Sequence, residues 1–290
     1  MIAVMIIVRI LTIILGITIT LFAVALIFNR LFPAEKRLRY NPLWVLPAVI
    51  YEFILVCVYV VFFFFGFITI KRKYPPSQKT PTILLHGYGV NKLCFAYLYL
   101  RLKSAGDTEV IPINIGPLFK SIEEQAHNLS KKIEAILTAT KAEKVNIVAH
   151  SQGGLISRYY LQFLKGDEKV DKLITIGTPH YGTMIANLGV GKNAHEMRPG
   201  SPFLEQLNSN PDLGTTALLS IYSPTDTFIL PAHSSVPPLG DSHITVPLGH
   251  MSLLFSPRVL QTVKTFLGRP AGYVHGRRRS SSPGEKIITK

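Results

Sequence analysis

The stretch VNIVAHSQGGLISRYY, residues 145–160, joins an apolar run to a helical pattern through a cluster of small residues around one serine. The apolar run up to Ala149 predicts a buried strand, and the apolar spacing after Gly153 predicts a helix. We therefore expect Ser151 to lie on a sharp turn at the end of a strand, with its hydroxyl pointing away from the sheet. A plain helix N-cap is the alternative role for this serine.

Short apolar runs alternate with helical patterns on both sides of this stretch. Strands are predicted in TILLHGYG, TEVIPINI, KVNIVAH, VDKLITIGTP and ALLSIYSP, and helices in CFAYLYLRLKSAG, SIEEQAHNLSKKIEAILTAT and GGLISRYYLQFLKG. Such alternation predicts an α/β fold with a mostly parallel sheet flanked by helices. Ligands bind at the carboxyl ends of such strands, where His86, Ser151 and Pro179 fall.

The pentapeptide A-H-S-Q-G, residues 149–153, is a variant of the nucleophile elbow G-x-S-x-G. The turn requires small residues two positions before and two positions after the serine, and Ala149 and Gly153 meet that demand. A serine hydroxyl also needs a base and donors for the developing oxyanion. We expect the backbone N–H groups of Tyr88, after the first strand, and of Gln152 to be those donors.

A base and an acid are expected after Ser151, in the order Ser, Asp or Glu, His. Three late histidines are candidates: His233, His243 and His250. We favour His250, which lies in a loop before the last helix. The acid should follow a strand, which favours Asp226 over Asp241.

The region from Thr80 to Gly268 resembles the α/β-hydrolase superfamily, in particular its bacterial triacylglycerol lipase and esterase group, and is similar to GPI inositol-deacylase-like proteins. The segments that carry the resemblance are ILLHGYG, NIVAHSQGGLISRYY, LITIGTPHYGT, MRPGSPFLEQLN, YSPTDTFILPAHSS and GHMSLLFSPRV. The resemblance implies a Ser151–Asp226–His250 triad acting through an acyl-enzyme. It also implies a substrate pocket near His86, Gly87, His150, Pro179, His180 and Tyr181. Residues 184–214 are expected to form a loop with a short helix, or a lid over that pocket.

Two long apolar segments precede this region, at about residues 4–28 and 43–70. About 20 apolar residues suffice for a helix to cross a bilayer, so both are predicted transmembrane helices. The second contains one acid, Glu52, which is expected at the membrane interface or against the first helix, with a functional intramembrane charge as the alternative.

The chain is strongly basic, with a formal net charge of +14. Basic residues flank the apolar segments and fill the tail, and no nucleic-acid-binding motif accompanies them, so we expect contact with anionic lipid and not with nucleic acid. The loop between the segments is slightly favoured as the cytoplasmic side. We therefore expect an integral protein of a bacterial inner membrane, with its large domain on the non-cytoplasmic side.

Three regions are thus predicted: a membrane anchor (1–73), a catalytic domain (74–268) and a basic, disordered tail (269–290). The expected activity is hydrolysis of carboxylic (lipid) esters, with no cofactor and no metal. An acyltransferase on the same site and a catalytically silent membrane-bound binding module are the alternatives. The sequence carries no indication of the oligomeric state.

Overall fold

A computed structural model describes residues 2–31, 40–68, 79–106, 109–245 and 247–270 of the chain. The predicted domain boundary at residues 73/74 and nearly all of the predicted disordered tail lie outside these ranges.

Six parallel strands form one sheet in the order β2-β1-β3-β4-β5-β6. The strands are β1 (Thr82–Leu85), β2 (Val110–Ile113), β3 (Val145–His150), β4 (Val170–Ile176), β5 (Ala217–Tyr222) and β6 (Asp241–Ile244). The first five lie where the apolar runs predicted them, and the parallel, helix-flanked architecture is confirmed. Strand β6 was not predicted, because DSHI is too short and too polar to read as a strand.

Eight α-helices occur in the described part of the chain. They are α1 (Ile2–Leu31), α2 (Val45–Phe62), α3 (Ala96–Ala105), α4 (Ile122–Thr140), α5 (Gln152–Phe163), α6 (Lys192–Glu196), α7 (Pro202–Ser209) and α8 (Pro257–Leu267). Local capping agrees with the sequence: the Ser121 hydroxyl accepts a hydrogen bond from Glu124 N at the start of α4 (3.1 Å). Gly106, with φ 71°, ends α3.

Helices cover both faces of the sheet, because neighbouring residues of a strand point to opposite sides. In β1, Ile83 and Leu85 belong to the core shared with α4 and α5. Leu84 between them belongs to the core shared with α3 and α8. This two-sided burial explains why the strands read as continuous apolar runs.

The first two helices are long and apolar enough to cross a membrane, over Val4–Leu31 and Pro42–Phe67. Most of their large apolar side chains are exposed in the folded chain. One side of α2 nevertheless contacts the sheet domain: the Tyr51 hydroxyl donates to Phe255 O (3.1 Å) and the Tyr59 hydroxyl accepts from Asn91 N (2.9 Å). The hairpin is therefore attached to the domain along α2.

Candidate active site

Ser151 lies at the junction of β3 and α5 in a strained backbone conformation, with φ 55° and ψ −126°. A positive φ is uncommon for a residue with a side chain, and such strain concentrates at functional sites. Its N–H donates to Ile176 O on β4 (2.9 Å), which fixes the turn to the sheet. Ser151 occupies the N-cap position of α5, but its side chain makes no capping hydrogen bond there.

Asp226 and His250 form a buried hydrogen-bonded pair. His250 Nδ1 lies 2.9 Å from Asp226 Oδ1 and 3.0 Å from Oδ2. The Asp226 carboxylate also accepts hydrogen bonds from Phe228 N (2.9 Å) and Ile229 N (3.0 Å), which hold it in place. Since a carboxylate only accepts hydrogen bonds, Nδ1 carries the proton and Nε2 is left as the basic nitrogen.

The competing residues lie elsewhere in the fold. Asp241 begins β6, and its carboxylate contacts Arg269 Nη1 at 3.3 Å. His243 also lies on β6, in register with Ile221 of β5, and His233 lies in a short 3₁₀ turn. Of the three candidate bases, the structure brings His250 to Asp226.

Contacts at the end of β3 connect this pair to the serine. His150, the residue before Ser151, is close to His250 O through its Nε2 (3.2 Å), and the two imidazole centroids are 4.4 Å apart. Among the described residues there is no hydrogen bond from the Ser151 hydroxyl to His250. Such bonds are often long in a free enzyme and tighten when substrate binds.

The loop after β1 passes directly over the serine. A Cβ on Gly87 would lie 2.6 Å from the Ser151 Cβ and 3.2 Å from Gln152 N, so this close approach requires glycine. Within the described ranges, no hydrogen bond engages the backbone N–H of Tyr88 or of Gln152. Both N–H groups are thus available near Ser151, that of Tyr88 in the loop after β1 and that of Gln152 at the first position of α5.

Three histidines that we expected in a substrate pocket are instead buried supports of the site. His86 Nε2 accepts from Ile115 N (3.1 Å), and its Nδ1 therefore donates to Gly87 O (2.9 Å). Burial lowers the pKa of His86, and burial together with nearby His250 lowers the pKa of His150 well below the usual range. These neutral rings hold backbone groups and are at most 2% exposed.

His180 is likewise enclosed, with Nε2 close to the Thr175 hydroxyl (3.2 Å) and Nδ1 to Arg158 (3.4 Å). Burial and the Arg158 charge lower its pKa well below the usual range. Gly87 and Pro179 are buried too. Tyr181, at 46% exposure, is the one predicted pocket residue with a largely exposed side chain.

Arg158 on α5 is a supporting residue that the sequence reasoning missed. Its guanidinium donates to Leu207 O (3.0 Å) and to Asn208 Oδ1 (2.9 Å), and so ties α5 to α7. Burial lowers its pKa to about 10, which leaves it charged at neutral pH. The sequence signal that could have indicated this role is the position of a basic residue within the apolar pattern of α5.

Residues 184–214 form a 3₁₀ turn, α6 and α7, and contact the loop after β1 and the start of α4. The Tyr88 hydroxyl donates to Val190 O (2.8 Å) and accepts from Val190 N (3.0 Å). Glu196 on α6 accepts from Ile122 N at the start of α4 (2.6 Å). Leu188, just after the 3₁₀ turn, is 83% exposed. The short helices agree with the expectation of a loop packed on the body.

Comparison with known proteins agrees with this geometry. The family model for palmitoyl protein thioesterase matches residues 81–207. A triacylglycerol lipase of Pseudarthrobacter phenanthrenivorans is 46% identical over 120 residues, which are 38% of this chain and 36% of that protein. The match thus spans about a third of this relative's length.

Two solved lipases share the fold. Aspergillus fumigatus lipase B superposes with a TM-score of 0.60 at 20% identity, over 70% of this chain and 56% of that one. The mature form of Bacillus licheniformis lipase BlEst2 gives a TM-score of 0.58 at 16% identity, over 68% and 96% respectively. The parallel sheet and these structural matches together show that the chain has the α/β-hydrolase fold.

Proposed function

We propose that the protein is a membrane-associated serine hydrolase that cleaves carboxylic esters of lipids through an acyl-enzyme. The observation that carries this proposal is the Asp226–His250 pair, which contacts His150, the residue before a serine whose φ is 55°. Backbone strain costs free energy and is retained mainly at functional sites. A serine that only begins a helix requires neither this strain nor an oriented imidazole.

The mechanism follows from the hydrogen bonds of His250: its Nδ1 is bound to Asp226, which leaves Nε2 as the basic nitrogen. His250 Nε2 takes the Ser151 proton as the Ser151 oxygen attacks the ester carbonyl, and Asp226 stabilises the imidazolium. The N–H groups of Tyr88 and Gln152 receive the oxyanion, and each such donor contributes about 10²–10³-fold in rate. The alcohol leaves with the proton from His250. Water then attacks the acyl-enzyme with His250 as base, and the carboxylic acid is released as Ser151 regains its proton.

The hairpin of α1 and α2 supports a lipid substrate. Its outer surface is apolar and exposed, whereas α2 and the 3₁₀ turn that follows it contact the domain through Tyr51 and Phe63. We propose that lipid surrounds the outer side of the hairpin while α2 stays on the domain, which tethers the site next to its substrate. Because the sequence resembles GPI inositol-deacylase-like proteins, the proposed lipid esters include acylated inositol lipids.

We further propose a bacterial inner membrane, with the domain on the non-cytoplasmic side, from the distribution of basic residues around the two apolar segments. These residues are Arg30, Lys36, Arg37 and Arg39 in the intervening loop, against Lys71, Arg72 and Lys73 after the second segment.

A thioester is the second candidate substrate, favoured by the match of residues 81–207 to the palmitoyl protein thioesterase model. The same triad serves both bonds, because the carbonyl and the oxyanion are common to them. A thiolate is the better leaving group and depends less on the proton from His250.

The test uses the full chain in detergent with a fluorophosphonate probe and with p-nitrophenyl esters of short and long acyl chains. We expect wild type to be labelled and to turn over long-chain esters, and Ser151→Ala to do neither at an unchanged melting temperature. His250→Asn should lose turnover, whereas the control His243→Asn should keep it. A palmitoyl thioester assayed in parallel separates the two substrates. Labelling that persists in Ser151→Ala would contradict the assignment of the nucleophile.

A further inference from the structure

Glu52 is the one charged residue in the apolar stretch from Val45 to Phe67, and its side chain is buried. Its carboxylate contacts the loop that carries His250, a partner that the sequence did not indicate. A buried carboxylate is costly unless protein groups replace its water. The identity of those groups indicates what Glu52 does.

Both carboxylate oxygens are used by the two backbone N–H groups that directly follow His250. Met251 N donates to Oε1 at 2.8 Å, and Ser252 N donates to Oε2 at 2.7 Å. A Cβ on Gly249, the residue before His250, would overlap this carboxylate. The Glu52 carboxylate therefore packs against the turn from Gly249 to Ser252 and binds its backbone.

The His250 ring depends on this turn for its position. Its backbone is otherwise fixed by the Thr227 hydroxyl, which accepts from His250 N (3.2 Å), and by the contact of His150 with His250 O. The Glu52 bonds are charge-assisted, which makes them stronger than these neutral contacts.

We propose that Glu52 is a positioning residue for the catalytic base, supplied by the helix that attaches the domain to the membrane. The proposal rests on the serine hydrolase function proposed above. It makes correct alignment of His250 depend on α2 being docked, so that the hairpin is part of the catalytic architecture as well as an anchor.

Other contacts of α2 hold the domain without touching this turn, and they provide the control. Tyr51, the adjacent residue, donates its hydroxyl to Phe255 O (3.1 Å), beyond the turn. Tyr51→Phe removes one bond between α2 and the domain and leaves the Glu52 contacts in place. A role in attachment alone predicts similar effects for the two positions, whereas a positioning role predicts a catalytic effect at Glu52 only.

The experiment compares wild type, Glu52→Gln, Glu52→Ala, Tyr51→Phe and Ser151→Ala as full chains in detergent. For Glu52→Gln, whose side chain keeps one acceptor oxygen, we expect kcat to fall about tenfold. For Glu52→Ala we expect about 100-fold. KM should stay within about twofold of wild type, because the substrate-binding surface is untouched. Tyr51→Phe should keep the wild-type kcat. The graded order wild type, Gln, Ala is the signature of positioning through this carboxylate.

Each contrary result has a defined meaning. Wild-type kcat in folded Glu52→Gln and Glu52→Ala overturns the proposal, as does an equal loss in Tyr51→Phe. Glu52→Gln is isosteric and decides the matter if Glu52→Ala does not fold. If Glu52→Gln is itself unfolded while Tyr51→Phe is folded, Glu52 serves folding and the positioning role is refuted. If wild type shows no more turnover than Ser151→Ala, the hydrolase function itself is overturned, and the role of Glu52 with it.

Discussion

Replacing Asp226 with asparagine tests the acid–base pair at a single atom. The oxygen of the new amide can still accept hydrogen bonds from Phe228 N and Ile229 N, as Asp226 Oδ1 does at 2.9 and 3.0 Å. The NH₂ group of the amide then replaces Oδ2, which lies 3.0 Å from His250 Nδ1. Nδ1 lies as close to the retained oxygen (2.9 Å) as to the new NH₂ group, so the change replaces one of its two acceptors with a donor. This favours the tautomer that carries its proton on Nε2, the nitrogen proposed to accept the Ser151 proton.

The expected loss is large because it combines a wrong tautomer with a missing counter-charge. An Asp-to-Asn change of this kind costs about 10⁴ in kcat, which corresponds to about 5.5 kcal/mol of transition-state stabilisation. The fold should survive, since the substitution keeps the shape and the two backbone contacts of the side chain. We expect KM to change little, because the acid does not contact substrate.

Asp241→Asn is the matched control, since Asp241 was the competing acid and contacts Arg269 at the surface. The assay is steady-state hydrolysis of a long-chain p-nitrophenyl ester in detergent, with the melting temperature measured for each variant. Wild-type turnover is expected in Asp241→Asn. The reasoning is refuted if folded Asp226→Asn keeps more than about a tenth of the wild-type kcat, or if Asp241→Asn loses as much.

Two further predictions concern stability and the segment over the site. Burial lowers the pKa of His150 and His180. Below about pH 6.5 the unfolded chain therefore binds more protons than the folded one, and the free energy of unfolding decreases as the pH is lowered. We expect the melting temperature to be level above about pH 7 and to drop progressively below about pH 6.5; a rise on acidification would contradict these assignments. Tyr88→Phe removes both hydrogen bonds to Val190, each worth about 1 kcal/mol. Hydrogen exchange of residues 184–197 should accelerate about tenfold or more, with α8 as the internal control; unchanged exchange would show that Tyr88 does not hold this segment.

The local pattern of the sequence was sufficient for most of the fold, because the strands of a helix-covered parallel sheet are buried on both faces. Their apolar runs, such as VNIVA before Ser151, stand out against the amphipathic helices. The same logic selected the candidate triad, because the superfamily order places the acid and the base on the loops after later strands. Asp226 and His250 could be chosen by their position after an apolar run and before a helix.

Side-chain direction was not predictable in the same way. His86, His150 and His180 were correctly located near the carboxyl ends of strands, yet their rings turn inward and bind backbone or side-chain groups. Sequence position specifies the end of the sheet at which a side chain lies. It does not specify whether the ring faces solvent or the packed loops, which depends on contacts such as that of Arg158 with His180.

The Glu52 contact illustrates the same limit at longer range, since it joins residues 199 positions apart in the chain. A lone acid in an apolar helix indicates that some partner exists, because an unpaired charge there is strongly unfavourable. It does not indicate which partner, because the two N–H groups after His250 belong to the backbone and have no sequence signal.

This contact also changes how removal of the hairpin should be interpreted. A chain shortened to begin at Lys79 would lose its proposed membrane attachment and, together with it, the carboxylate that contacts the turn after the proposed base His250. Low activity of such a protein toward a soluble ester would therefore not demonstrate a requirement for lipid, because loss of the Glu52 contacts predicts the same result.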